Sequence, residues 1–65
     1  MNSHQHKDFL EGFSDATKLY GDQLEAAYQE WVALSELNEV ELIDFEGGGY
    51  QAGLEAGTNY LKGTQ

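Results

Sequence analysis

The chain has 65 residues, no cysteine, no proline and a formal net charge of −9. That length makes one small domain, whose core supplies no more than about 3–5 kcal/mol. The missing cysteines exclude disulfides and thiolate metal sites as supplements, and the charge opposes direct binding to nucleic acid or anionic lipid while attracting cationic surfaces.

A hydrophobic content of 40%, with 12% aromatics, is too high for a disordered acidic tail. The aromatics (Phe9, Phe13, Tyr20, Tyr28, Trp31, Phe45, Tyr50 and Tyr60) put core material in every third of the chain. Met1 to Lys7 is polar and lacks an apolar run, so no secretory signal is expected, and no apolar stretch is long enough to span a bilayer. The expectation is a soluble, cytoplasmic protein, one domain over residues 1–65 with 1–5 disordered.

The spacing predicts an all-α fold, a small bundle of about three helices at 6–20, 23–37 and 39–62. In the first, Phe9, Phe13, Ala16 and Tyr20 recur at helical spacing, flanked by Leu10 and Thr17. Lys7, Asp8, Glu11, Asp15 and Lys18 gather on the other side. Gly21 then supplies a left-handed stop. Asp22 opens the second segment with Glu25 three residues on, an Asp-led capping-box spacing. Leu24, Ala27, Tyr28, Trp31, Leu34 and Ser35 form its apolar stripe, and Asp22, Glu25, Gln29 and Glu36 line the opposite face. Trp31 reads as core or as interface anchor on this pattern.

Asn38 is placed to end the second helix and cap the third, with Glu41 at the matching position. Beyond it, Val40, Ile43, Gly47, Tyr50, Leu54, Gly57 and Leu61 make a heptad-like seam. Leu42, Phe45, Gly49, Ala52, Gly53, Ala56 and Tyr60 make a second apolar row. A helix apolar on two sides is buried on two sides, so another polypeptide or a second copy is expected to cover part of it. Gly47-Gly48-Gly49 costs about 1 kcal/mol per residue against alanine in a helix interior, which leaves a break there as the alternative to one long or kinked helix. Gly49, Gly53 and Gly57, four apart, let backbones approach closely. Tyr50, Gly49, Gly53, Leu54, Gly57 and Leu61 are therefore the expected self-association residues of a homodimer.

Sharper chemistry finds little support. Gly47 to Ala52 matches G-x-G-x-x-A, but Asp44 and Glu46 would face the phosphate with negative charge, and no second strand and ribose-binding acid follow. His4 and His6 suit a metal only in an extended tail, since residues two apart on a helix diverge. The EF-hand order is absent around Asp44–Glu55, and most of the carboxylates fall on exposed faces rather than in a cleft. Neither an enzyme nor a cofactor is expected.

Between Lys18 and Lys62 no basic residue interrupts Asp22, Glu25, Glu30, Glu36, Glu39, Glu41, Asp44, Glu46 and Glu55. The first six are the expected partner-binding face. The reading is a non-catalytic acidic protein–protein interaction module, resembling in general profile the accessory or inhibitor proteins of phages and mobile elements. Its partner would present a basic surface, as nucleic-acid-handling proteins do, which admits imitation of DNA. The alternative is a homo-oligomeric scaffold whose acidity only confers solubility.

Overall fold

The structure, a computed structural model, describes residues 3–63, with side chains from His6 onward. It is an all-α bundle of four helices: α1 (Ser3–Thr17), α2 (Gly21–Ser35), α3 (Glu39–Glu46) and α4 (Gly49–Gly63). Helix therefore reaches into the 1–5 stretch expected to be disordered, of which residues 1 and 2 lie outside the described residues.

Phe9 and Phe13 are fully buried, as their spacing predicts, and Ser14 and Thr17 are buried beside them. The two hydroxyls close the helix. Thr17 Oγ1 donates to the Phe13 carbonyl at 2.8 Å, and Ser14 Oγ donates to the Leu19 carbonyl at 2.6 Å. Lys18 takes a left-handed φ of 64°, so α1 stops at Thr17 rather than at residue 20. Tyr20, expected on the buried stripe, instead adopts an extended backbone as N-cap of α2 and is largely exposed. Gly21 is left-handed as expected. The Asp22-led capping box does not form, because the helix begins two residues earlier, at Gly21, and its cap, Tyr20, makes no side-chain bond. Asp22 still lies in the first turn, where a carboxylate suits the positive end of the helix dipole.

Helix α2 ends where Glu36 turns left-handed. Asn38 caps α3 as predicted: its side chain accepts from Glu41 N at 2.8 Å, and the Glu41 carboxylate accepts from Asn38 N at 3.1 Å. The triple glycine divides the predicted third helix. Gly47 and Gly48 donate back to the Ile43 and Phe45 carbonyls at 3.0 and 3.1 Å, and Gly49, at φ 66°, redirects the chain without the steric penalty a side chain would bring.

That redirection lays α4 along α1. A Cβ at Gly12 would stand 2.1 Å from the Tyr50 carbonyl oxygen, and one at Gly53 would stand 2.0 Å from that of Phe9. Gly57 sits against Phe13, Ala16 and Thr17. The contacts advance in the same direction along both helices, so α1 and α4 run parallel. Backbones this close leave room for no side chain at Gly12 or Gly53.

Around it, Phe9, Phe13, Ala27, Trp31 and Ala56 form the buried core, supported by Leu10, Leu24, Phe45, Ala52 and Tyr60. The Trp31 ring centroid lies 5.4 Å from Phe9, 5.6 Å from Phe45 and 6.2 Å from Phe13. Trp31 is thus a core residue. The glycine stripe expected to meet a second copy is filled at Gly53 and Gly57 by α1 of the same chain, because Gly12 and Ala16 offer a matching small surface. The second apolar row faces this core, while Val40, Ile43, Tyr50 and Leu61 of the heptad-like seam stay exposed. Among the described residues no helix is long and apolar enough to cross a membrane.

Candidate interaction surface

The helix positions that face outward carry the charge. All six residues of the predicted partner-binding face, Asp22, Glu25, Glu30, Glu36, Glu39 and Glu41, are exposed. They run along the outer side of α2, through the α2–α3 turn, and onto the first turn of α3. Of the twelve carboxylates, only Glu46 is buried. Among the described residues no lysine pairs with a carboxylate, and the single carboxylate–base contact is Glu46 with His6. Asp22, Glu25, Glu36 and Glu39 hold no internal partner at all among those residues.

Three of the acids accept from tyrosine hydroxyls. Tyr28 donates to Glu46 at 2.5 Å, Tyr60 donates to Glu30 at 2.7 Å, and Tyr50 donates to Asp15. Each bond joins two different helices. Burial, then the hydrogen bond to Glu46, pushes the Tyr28 phenol well above the usual tyrosine range. The carboxylates of Asp15 and Glu30 raise Tyr50 and Tyr60 in the same sense, with the hydrogen bond as the main cause. Glu46, at the C-terminal end of α3 where the helix dipole opposes an anion, is held from two sides. His6 Nδ1 lies 2.6 Å from Oε1, and Tyr28 approaches Oε2. Its place in the helical spacing gave no sign of burial. The tyrosine partners were also unforeseen, although a chain with twelve acids and three lysines has few other donors.

The predicted self-association residues divide. Gly53 and Gly57 are buried in the α1–α4 seam, and Gly49, the first residue of α4, serves the redirection. Tyr50, Leu54 and Leu61 lie along the flank of α4, with Tyr50 and Leu61 exposed. The stretch before the glycine run is helix rather than strand, so the dinucleotide-like pattern lacks the strand its phosphate loop requires. His6 is engaged by Glu46, and the side chain of His4 lies outside the described residues.

Between the C-terminal parts of α2 and α4, and against α3, an open groove of about 370 Å³ is lined by Trp31, Leu34, Leu37, Phe45 and Tyr60, with Ser35 and Asn59 as polar members. Among the described residues no charged side chain lines it. Leu34, placed in the core stripe by its spacing, is 58% exposed on this edge. A second groove, near His6, Leu10, Leu24 and Tyr28, includes Glu25 in its wall.

No family model, curated protein or solved structure matches the chain.

Proposed function

We propose that the protein is a non-catalytic acidic interaction module that binds a basic surface of a partner protein. One observation carries this reading: eleven of its twelve carboxylates are exposed, and none is neutralised by a lysine among the described residues. Unpaired surface charge of one sign steers oppositely charged partners and repels like ones. A protein with a cationic, nucleic-acid-binding surface suits it best, and occupying that surface would make this chain an accessory or inhibitor protein. The carboxylates within α2, Asp22, Glu25 and Glu30, are spread over about 12 Å of helix, sparser than duplex phosphates at one per about 1.7 Å. Imitation of DNA on this pattern would be one of sign and shape rather than of spacing.

The test is capture of basic partners by the intact chain at increasing salt. Capture should fall steeply between about 50 and 300 mM salt, and should weaken when Asp22, Glu25, Glu30 and Glu36 are replaced together by their amides. Capture indifferent to both would refute the reading.

A second reading, self-association with the charge serving only solubility, is favoured by the exposure of Tyr50 and Leu61 beside Leu54 on α4. It requires a melting temperature that rises with protein concentration. A monomer mass and a constant melting temperature would remove it.

A further inference from the structure

We infer that the groove framed by Trp31, Leu34, Leu37, Phe45 and Tyr60 seats the apolar side of a basic amphipathic helix from another protein. This rests on the acidic-module reading and gives that partner a docking site. In a chain with fifteen charged residues, the groove has none among its described lining residues. Its volume of about 370 Å³ falls within the usual range of ligand clefts, and its aromatic and aliphatic walls with a few polar groups are typical of them. Leu34 leaves more than half its surface in water at the edge, so the fold itself makes little use of it.

The acids decide what enters. Glu36 lies in the chain between two lining residues, Ser35 and Leu37, and Glu30 accepts from the hydroxyl of Tyr60, a third. An apolar floor with carboxylates beside it complements a helix with leucines or aromatics on one face and lysines or arginines alongside. A second copy of this chain would bring another −9 charges to the same place, and anionic lipid or nucleic acid would meet the same repulsion.

Trp31 is the only tryptophan and lines the groove, so its fluorescence reports occupancy directly. The full chain is titrated with three synthetic peptides of equal length: a leucine–lysine sequence of helical period, its scrambled version, and a leucine–glutamate sequence of the same period. The amphipathic basic peptide should change Trp31 emission saturably and bind at least about tenfold tighter than the scrambled one, with no response to the acidic peptide. Leu34→Asp, at an exposed position and checked for native helicity, should weaken binding about tenfold, the scale of a lost apolar anchor. Glu30→Gln with Glu36→Gln should weaken it severalfold and flatten its salt dependence. Salt-sensitive binding that ignores both peptide order and Leu34→Asp would overturn the docking site and leave the acidic reading standing. Equal binding of the acidic peptide, or no binding of either basic peptide, would overturn both.

Discussion

The seam between α1 and α4 makes the sharpest stability prediction, at Gly53→Ala. A methyl group there would stand 2.0 Å from the Phe9 carbonyl oxygen and 2.8 Å from Phe13 N. Both obstacles are backbone, so no side chain can swing away. Real Cβ atoms come no closer than 3.0 Å, and the two helices must therefore separate by about 1 Å. A gap of that size forfeits roughly a quarter to a half of the dispersion energy between facing atoms, and Phe9 and Phe13, fully buried on the α1 side, would feel it first. Overpacking of this kind costs about 1–3 kcal/mol, and with backbone on both sides the upper end applies. Alanine returns about 1 kcal/mol of helix propensity. The net loss is roughly 2 kcal/mol, near half of the ~3–5 kcal/mol a core of this size supplies. In a 65-residue chain it should lower Tm by about 10 °C.

The assay is urea and thermal unfolding followed by far-UV circular dichroism. Gly63→Ala serves as control, since nothing lies within 4 Å of a Cβ at Gly63. Gly12→Ala should behave like Gly53→Ala, its Cβ meeting the Tyr50 carbonyl oxygen at 2.1 Å. The double variant should cost less than the sum, because the seam opens only once. If Gly53→Ala proves as stable as Gly63→Ala, the close parallel packing of α1 and α4 is wrong.

Other consequences follow from the polar contacts. Tyr28→Phe and Glu46→Ala should each destabilise by about 1–2 kcal/mol through loss of a partly buried hydrogen bond to a charged group; a double-mutant cycle with no coupling energy would show that the pair does not interact. Asn38→Ala should cost about 1 kcal/mol with Asn38→Asp largely neutral, and an unchanged urea midpoint for the alanine variant would contradict the capping box. The phenols of Tyr28, Tyr50 and Tyr60 are all raised in the folded chain. Folding thus favours the protonated form, so this contribution is complete below the unfolded tyrosine value of about 10 and is lost as pH climbs through the native values. Tyrosinate absorbance should develop mostly above pH ~10, together with loss of helix. Complete ionisation near 10 in a chain still fully helical would refute these bonds.

Three lysines face twelve acids, and the acids that bridge helices are met by tyrosine hydroxyls and one histidine instead, Glu46 in the interior and Asp15 and Glu30 at the surface. The arrangement ties α1 to α4, α2 to α3 and α2 to α4 without consuming a cation. It also leaves Asp22, Glu25, Glu36 and Glu39 without an internal partner among the described residues.

The sequence by itself determined what depends on period and on chain-local bonds. Phe9, Phe13, Ala27, Trp31 and Ala56 fall on helical spacing and are the core; Asn38 and Glu41 lie three residues apart and form their cap. The carboxylates of α2 oppose its apolar stripe and reach water. Tertiary structure decided the rest, because it turns on which surfaces meet. The spacing of Gly49, Gly53 and Gly57 announced a close helix contact but not its partner, and the small surface at Gly12 and Ala16 drew α1 into that place. The glycine run became a break because only a redirected α4 can lie against α1, which makes up for its poor helix propensity. Glu46 was drawn inward, and Tyr20 and Leu34 were left outside, by where helices end and cross. No pattern within a single segment encodes that.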